Sequence, residues 1–362
     1  MEAAWFSKDS DGSLKCLLCP HECRLREGNF GLCRVRGVSN GGPNLPFAGR
    51  ISSLSDDPIE KKPLFRFLPG SRVFSVGFFG CMMRCPFCQN WEISQRREEG
   101  RPFVPPGALV EAAKESGSPS IAFTYSEPTL HFEYVLEAAR LAKAGGLHTV
   151  LVTNGQLNEG PARELLATID AVNLDIKSFS AAVYEKTLGG RLDTTLEFAR
   201  LAAKTSWLEA TSLIVPGLED WESSIEGIAS FLSSLSPHIP LHLSAYHPAW
   251  KHDAPPTSPA LLEALRGIAR RKLESVYVGN VAGESEMDRC GSCGTVLVER
   301  RGYRVATRNL LAAALDGPFA AKGSMANSAT GEEASTGGIG SPLGRPGARC
   351  AVCGHPEFFV LS

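Results

Sequence analysis

Three cysteines in the middle of the chain have the spacing C-x3-C-x2-C: Cys81, Cys85 and Cys88 follow the apolar run 73–79. Three thiolates can bind three irons of a cubane 4Fe–4S cluster, whereas a closed cluster takes four cysteines. An iron without a protein ligand can bind a substrate, as the open position of a catalytic metal site does. The same spacing also fits three legs of a zinc site, or buried thiols that pack as small hydrophobic side chains. The trio therefore points to metal chemistry whose kind its surroundings must decide.

Two groups of four cysteines flank this trio, so that the eleven cysteines of the chain divide without remainder. The C-terminal group consists of two C-x2-C-G pairs, Cys290 with Cys293 and Cys350 with Cys353, a pattern typical of zinc ribbons and rubredoxin-type sites. Residues 294–349 separate the pairs, well above the usual spacing of about 15–20 residues. A long loop adds little closure entropy. We predict a structural zinc ion here, with iron as the alternative.

The N-terminal group comprises four cysteines within a short stretch: Cys16, Cys19, Cys23 and Cys33. Four cysteines indicate a closed metal site, and either zinc or an auxiliary 4Fe–4S cluster satisfies the pattern. His21 lies among them and adds a further ligand type, although a solvated loop histidine is the simpler interpretation. The sequence leaves the metal at this site open.

The elements that must position these residues alternate along the chain from residue 73 onward. Short β-branched runs alternate with amphipathic stretches, which indicates βαβ units and a parallel sheet, hence an α/β fold. The predicted strands are 73–78, 121–124, 149–153, 172–176, 208–215, 241–245 and 276–278. The predicted helices are 108–115, 130–144, 161–168, 194–204, 223–235 and 259–272. This pattern favours a barrel or partial barrel, with a doubly wound open sheet as the competing topology.

Composition bounds the classes of partner and the domain plan. The chain is 43% apolar and 21% charged with a net charge of −2, which gives no electrostatic footprint for nucleic acid. No apolar run reaches the ~18 residues that span a bilayer, and the N-terminus lacks a signal-peptide pattern, so we expect a cytoplasmic protein. We expect a Cys-rich segment over 1–70, the barrel over 71–285 and a zinc-ribbon-like segment over 286–362. The stretch 316–349 is rich in Gly, Ser and Ala and predicts a flexible insertion.

Polar residues follow successive predicted strands, and in a barrel they would converge on the trio. They include Glu127, Thr153 with Asn154, Asp175 with Lys177, and Ser244. Phe87 lies directly before the last cysteine of the trio, which completes the pattern CxxxCxφC, where φ is aromatic. This pattern resembles the radical S-adenosylmethionine (radical SAM) superfamily.

Longer segments resemble one family within it, the AmmeMemoRadiSam-system radical SAM enzymes, which are relatives of the pyruvate formate-lyase activating enzymes. The resemblance covers roughly residues 14–300 and the last cysteine pair, and the chain departs from it at Met82-Met83 and in the insertion. The segments that show this resemblance are 57–70 (DPIEKKPLFRFLPG), 88–91 (CQNW), 125–129 (YSEPT), 152–155 (VTNG) and 174–177 (LDIK).

The resemblance implies a partial (β/α)6 TIM-like barrel and a set of roles. Cys81, Cys85 and Cys88 would bind the cluster, and the amino and carboxylate groups of SAM would chelate its open iron. Glu127 would accept hydrogen bonds from the SAM amino group, or instead serve only as a carboxylate at a helix N-terminus. The remaining expectations concern the rest of SAM: Thr153 and Asn154 at the ribose or carboxylate, Asp175 and Lys177 at the ribose or methionine carboxylate, Phe87 on adenine, and Ser244 as a further SAM contact.

The implied activity is reductive cleavage of SAM to a 5′-deoxyadenosyl radical that abstracts a substrate hydrogen. The electron donor would be a flavodoxin or ferredoxin, and companion proteins of the AmmeMemoRadiSam system are expected partners. The substrate is either a protein or a small molecule. Two alternatives remain open from the sequence: an activase that installs a glycyl radical on a protein, and a non-catalytic binding module stabilised by metals.

Overall fold

The computed structural model describes residues 3–96, 100–283, 285–312 and 347–361, and its N-terminal part consists of short antiparallel strands. Strands β1, β2 and β3 form one small sheet and β4 with β5 a second. Apolar side chains of this part, such as Leu18 and Val35, belong to the same hydrophobic core as the main sheet. The five strands are Phe6–Lys8 (β1), Leu14–Cys16 (β2), Arg24–Leu25 (β3), Gly37–Ser39 (β4) and Gly42–Asn44 (β5).

The main sheet has eight strands, of which seven are parallel and neighbour one another in chain order. They are Ser53–Pro58 (β6), Arg72–Gly77 (β7), Ser120–Thr124 (β8), His148–Thr153 (β9), Ala171–Asp175 (β10), Trp207–Ile214 (β11), Leu241–Ala245 (β12) and Val276–Gly279 (β13). The order does not reverse, as it would in a doubly wound sheet, so that competing topology is wrong for the described strands. All seven predicted parallel strands are present within one residue at each end.

One strand of the main sheet comes from the segment that we expected to be a separate N-terminal unit. β6 pairs antiparallel with β7 at the edge of the sheet, with Ser53 opposite Gly77 and Pro58 opposite Arg72. The domain plan that ends the first segment at residue 70 therefore divides this sheet.

Helices connect the parallel strands at six crossovers. They are Trp91–Ser94 (α1), Pro106–Glu115 (α2), Phe132–Ala144 (α3), Glu159–Leu166 (α4), Ala181–Val183 (α5), Leu192–Thr205 (α6), Trp221–Leu235 (α7) and Pro259–Ala269 (α8). Short 3-10 turns cover Ile59–Lys61 and Pro128–His131, and a π-helix covers Tyr184–Leu188. Two of the longer helices have a side-chain cap at their N-terminus: the Asp220 carboxylate accepts from the first turn of α7, and the Ser258 hydroxyl does the same for α8. No helix among the described residues is long and apolar enough to cross a bilayer.

The C-terminal part has its own small core, built around Leu297, Val298 and Phe359. Its strands are Ser285–Arg289 (β14), Val296–Arg301 (β15), Arg304–Thr307 (β16), Leu310–Ala312 (β17), Ala348–Cys350 (β18) and Pro356–Glu357 (β19). The insertion predicted over 316–349 lies outside the described residues except for its end. There the prediction extends too far, because Ala348 and Arg349 pair with β17 as part of β18.

Candidate functional site

A cavity of about 230 Å³ lies where the parallel strands end, as expected when their carboxyl ends share one edge. Most of the predicted site residues line it together. They are Cys81, Cys85, Phe87, Cys88, Glu127, Asn154, Asp175, Lys177 and Ser244. These nine residues contribute three thiols, two carboxylates, an amide, an ammonium group, a hydroxyl and one aromatic ring to the lining.

The trio sits on the loop that leaves β7. Gly80 opens this loop with φ of +87°, and a Cβ there would come within 2.7 Å of Val35 and 2.8 Å of the Cys33 carbonyl oxygen. Only glycine combines this left-handed backbone with so close an approach. The loop also provides donors to its own sulfur atoms, since the Met83 N–H donates to Cys81 Sγ at 3.3 Å. Asn154 Nδ2 contacts the same sulfur at 3.6 Å.

Two thiols of the trio, those of Cys81 and Cys85, stay protonated as long as no metal binds them. Burial raises the pKa of Cys81 well above its ordinary value and that of Cys85 to about 11. Thiolates are the form that binds iron, so a cation must displace these protons. The three sulfur atoms of the trio do not all lie within 4.8 Å of one another. Among the described residues, only the four C-terminal cysteines bring their sulfur atoms that close together. A cubane needs this wider spread because each cysteine binds a different iron. The residues therefore fit a cluster with one iron left open.

Glu127 joins the ends of two strands at the floor of the cavity. Its Oε1 accepts hydrogen bonds from the Thr129 N–H, the Thr129 hydroxyl and the Thr153 hydroxyl, and its Oε2 accepts from the Asn154 N–H at 2.9 Å. Burial raises the pKa of Glu127 despite these donors. The bond to Thr129 makes Glu127 the N-cap of the turn Pro128–His131. The capping role is therefore real, and the carboxylate lines the cavity as well.

Thr153 lies one step behind the cavity lining. It is buried, and its hydroxyl donates to Glu127 at 2.8 Å. Its neighbour Asn154 does line the cavity, with its amide nitrogen near Cys81 and its carbonyl oxygen accepting from the Gln156 N–H. Thr153 thus orients the Glu127 carboxylate, whereas Asn154 places its side-chain amide beside the trio.

Asp175 and Lys177 form an ion pair at the end of β10, with 3.0 Å between Lys177 Nζ and Asp175 Oδ2. Burial alone would lower the pKa of Lys177, but Asp175 and the nearby Cys85 thiol reverse this and raise it, so the ammonium stays charged. The pair therefore offers both a cation and an anion to a bound zwitterion. Ser244, at the end of β12, closes the lining on the far side from Glu127 in strand order.

A network around Tyr125 was not predicted as part of the site. Tyr125 lines the cavity with φ of +71°, an uncommon conformation for a bulky residue, and its hydroxyl donates to Asp57. Lys62 lies over its ring at 4.3 Å and binds Asp57 at 2.7 Å. The Asn90 side-chain amide donates a hydrogen bond to the Tyr125 carbonyl oxygen, with 2.6 Å between Nδ2 and the oxygen. Asp57 and Lys62 of the segment 57–70 and Asn90 of the segment 88–91 thus contact Tyr125, which lies two residues before Glu127.

His242 lies apart from the cavity, although it follows the same strand-end pattern as Ser244. Its Nε2 pairs with Glu209 at 2.7 Å, and Glu209 also accepts from the N–H groups of Phe65 and Arg66. Both side chains are buried, and the Glu209 carboxylate holds the backbone of the segment 57–70 through these two hydrogen bonds. His242 and Ser244 lie two residues apart on one face of β12, and Ser244 is the one nearer the carboxyl end of the strand, where the cavity lies.

The C-terminal cysteines lie close enough for one ion. Cys290 and Cys353 Sγ are 3.6 Å apart, Cys293 and Cys350 Sγ 3.7 Å, and all four sulfur atoms lie within 4.8 Å of one another. A tetrahedral zinc with Zn–S bonds of about 2.3 Å places its sulfur atoms roughly 3.8 Å apart. The residues present thus fit a single tetrahedral ion.

The N-terminal cysteines surround a small cavity. Its lining includes all four of them, together with His21, Arg36 and Leu130. Burial raises the pKa of Cys19 to about 12 and also raises that of Cys33. As in the trio, no three of these sulfur atoms lie within 4.8 Å of one another among the described residues.

Comparison with known proteins gives a consistent result. Residues 76–232 match the model of the radical SAM superfamily. An uncharacterized protein of Methanocaldococcus jannaschii, MJ0808, is 38% identical over 316 residues, which cover 85% of this chain and 94% of that protein. Pyruvate formate-lyase 1-activating enzyme of Escherichia coli K12 is 29% identical over 51% of this chain and 77% of its own length. A solved domain of a pyruvate-formate lyase-activating enzyme from Bacteroides vulgatus aligns with 44% of this chain and 99% of that domain, at 22% identity and a TM-score of 0.39.

Proposed function

Because this chain belongs to the radical SAM superfamily and is related to the pyruvate formate-lyase activating enzymes, we propose that this enzyme cleaves SAM reductively within the cavity at the strand ends. The observation that carries the proposal is the lining itself. Three cysteine sulfur atoms, the Glu127 carboxylate, the Asn154 amide and the Asp175–Lys177 pair face one space. Superfamily membership implies a 4Fe–4S cluster and SAM as the cofactors.

We assign Cys81, Cys85 and Cys88 as the cluster ligands. When bound, the cluster supplies the electron that splits SAM into methionine and a radical able to take a hydrogen atom from the substrate. Donors to sulfur from Met83 and Asn154 would stabilise the thiolate form of Cys81.

The remaining residues bind and orient SAM. Glu127, held by four hydrogen bonds, would accept from the SAM amino group with the lone pair that they leave free. Lys177 would pair with the methionine carboxylate, while Asp175 or Ser244 accepts from a ribose hydroxyl. Phe87 is buried beside the trio and offers an apolar surface to adenine. An apolar wall of this kind also excludes water from the site.

One binding experiment tests these roles. SAM added to the reconstituted, reduced protein should change the electron paramagnetic resonance (EPR) spectrum of the cluster, because its amino and carboxylate groups become iron ligands. The Lys177→Met variant should need a higher SAM concentration for the same change. An EPR spectrum unaffected by SAM at any concentration contradicts the proposal.

Within the superfamily, we propose the AmmeMemoRadiSam type. The segments 57–70 and 88–91 support it, because both hold Tyr125 and through it the Glu127 loop, by the contacts of Asp57, Lys62 and Asn90. The test is to incubate the reduced enzyme with unlabelled SAM, the companion proteins of that system and deuterated substrate pools, and to look for deuterium in 5′-deoxyadenosine. Deuterium transfer that requires those companions supports the type.

A glycyl-radical activase is the second candidate, favoured by the 29% identity to the Escherichia coli activating enzyme. Its signature is an EPR doublet from a glycyl radical formed on an added glycyl-radical enzyme. A flavodoxin or ferredoxin would supply the electron in either case. The main sheet, β6 to β13, would form a partial barrel, and a C-terminal zinc ribbon would be stabilised by zinc on Cys290, Cys293, Cys350 and Cys353.

A further inference from the structure

The two four-cysteine groups of this chain differ in the spacing of their sulfur atoms. In the C-terminal group the four sulfur atoms crowd to within 4.8 Å, with two pairs at 3.6 and 3.7 Å, as one tetrahedral ion requires. In the N-terminal group the sulfur atoms of Cys16, Cys19, Cys23 and Cys33 surround a cavity, and no three of them approach so closely. The C-terminal group thus serves as an internal standard for a single-ion site, and the N-terminal group does not match it.

A cubane cluster accounts for the wider spacing. Each of four cysteines binds a different iron, so the sulfur atoms stay apart and enclose the cluster. The surroundings agree, because three of the four cysteines are buried and Leu18, Leu25 and Leu130 contribute to the wall. His21 also lines the cavity, but its Nε2 is engaged with the Met82 carbonyl oxygen at 3.2 Å. The four thiols alone therefore form a complete ligand set.

The N-terminal cavity lies directly against the loop of the trio. His21 stands between Cys19 and Cys23 in sequence and bonds to Met82, the residue after Cys81. The Cys33 carbonyl oxygen lies 2.8 Å from the position of a Cβ on Gly80, the residue before Cys81. Two ligand loops thus touch at both sides of Cys81. Such contact keeps the path between two metal sites short.

We propose that Cys16, Cys19, Cys23 and Cys33 bind a second, closed 4Fe–4S cluster that hands electrons to the cluster of Cys81, Cys85 and Cys88. With all four irons bound to protein, this second cluster has no position for SAM and serves electron transfer. One electron passes from a flavodoxin- or ferredoxin-type donor to the N-terminal cluster and then to the trio cluster, which returns the N-terminal cluster to its oxidised state. The electron-transfer step rests on the proposed function; the cluster site does not.

Metal analysis of a chain without the trio tests the site separately from SAM chemistry. The variant Cys81→Ala/Cys85→Ala/Cys88→Ala is reconstituted anaerobically with iron and sulfide in the presence of equimolar zinc. We expect it to retain about four irons and four sulfides per chain, with an EPR signal after dithionite reduction. A variant with no iron and about two zinc ions per chain overturns the proposal.

The unchanged chain provides a readout that does not depend on the folding of a variant. It should bind about eight irons and about one zinc, and Cys19→Ala should bind about four irons while its EPR spectrum still responds to SAM. A total of about four irons in the unchanged chain overturns the proposal whatever the variants do.

A ratio of rates tests the transfer of electrons. In Cys19→Ala, SAM cleavage driven by flavodoxin, divided by cleavage driven by dithionite, should fall at least tenfold relative to the unchanged chain. An unchanged ratio overturns the electron-transfer step. A chain that binds eight irons but cleaves no SAM would instead contradict the proposed function and leave the second cluster supported.

Discussion

Glu127 shows how one side chain combines positioning with binding at the residue scale. Its carboxylate caps the turn at Pro128–His131 and accepts from Thr153 and Asn154, so it fixes the relative position of the ends of β8 and β9. It also faces the cavity beside Cys81. A substitution therefore affects both folding and SAM affinity, and a control is needed that loses only a cap.

We expect Glu127→Gln to weaken SAM binding by about 10- to 100-fold, since a hydrogen bond to a charged group contributes roughly 1.5–3 kcal/mol. The matched control is Asp220→Asn, which alters the carboxylate that caps α7 at an exposed position outside the cavity lining. Equilibrium dialysis of SAM measures the effect. Equal affinities of the two variants for SAM would mean that Glu127 is only a cap.

The sequence predicted the residues of the site better than the contacts among them. Spacing and strand ends located nine of the 18 residues that line the cavity, because local pattern determines which residues follow a strand. The pairing of Asp57 with Tyr125 joins residues far apart in sequence, so no local pattern indicates it. The same holds for Thr153, whose hydroxyl turns to Glu127 and away from the cavity.

At the scale of elements, the seven parallel strands followed from apolar runs, whereas β6 did not. Its sequence, SLSDDP, contains two aspartates and a proline, residues that are depleted in strands. It forms a strand because Asp57 finds partners in Lys61, Lys62 and Tyr125 and because β7 offers an open edge. Tertiary partners thus override local propensity at this edge.

The loop after β7 should not tolerate a side chain at Gly80. Gly80→Ala combines a left-handed backbone, which costs about 1–2 kcal/mol, with overpacking against Val35 and Cys33 that adds roughly 1–3 kcal/mol. Gly117→Ala is the matched control, because Gly117 has φ of +75° and nothing within 4 Å of a new Cβ. Urea unfolding and iron content measure the difference. Equal losses in both variants would contradict a tight contact between the two cysteine loops.

Asp170 makes the junction of α3, β9 and β10 sensitive to acid. Burial alone would raise the pKa of its carboxyl, but His148 and Lys143 lower it from 3.8 to about 2. Between these two values the unfolded chain binds more protons, so the stability contributed by Asp170 is present above pH ~4 and lost as the pH falls towards 2.

This contribution is about 2 kcal/mol. Asp170→Asn should therefore lower the free energy of unfolding at neutral pH and lose less stability than the unchanged chain between pH 4 and pH 2. Asp253→Asn, at an exposed loop position, is the control. Denaturant unfolding at several pH values measures the free energy of unfolding of each variant. If Asp170→Asn and the unchanged chain lost the same free energy of unfolding between pH 4 and pH 2, the ion pair of Asp170 would be contradicted.

At the scale of the whole molecule, a buried network joins the C-terminal part to the main sheet. Asp288 binds Arg300 at 2.6 Å and Arg66 at 3.0 Å, and the Tyr277 hydroxyl donates to it at 2.6 Å. The C-terminal core beyond this network is small and separate. A core of that size needs a further source of stability, which four cysteines around one ion would provide.

We expect Cys293→Ala to lose about one zinc per chain and to speed amide hydrogen exchange in β14–β19 by at least tenfold, because the metal holds the two hairpin ends together. Exchange in β8–β12 should stay as it is. Ser292→Ala, at the neighbouring exposed position, is the control. Slow exchange and full zinc content in Cys293→Ala would exclude the site.

The central claim is that the trio at the strand ends uses SAM for radical chemistry, and SAM cleavage tests it most directly. The chain is purified anaerobically, reconstituted with iron and sulfide, reduced with dithionite and incubated with SAM, and 5′-deoxyadenosine is quantified by mass spectrometry. We predict 5′-deoxyadenosine and methionine in equal amounts, and none above background from Cys85→Ala. A fully loaded, reduced protein that yields no more 5′-deoxyadenosine than Cys85→Ala would contradict the account.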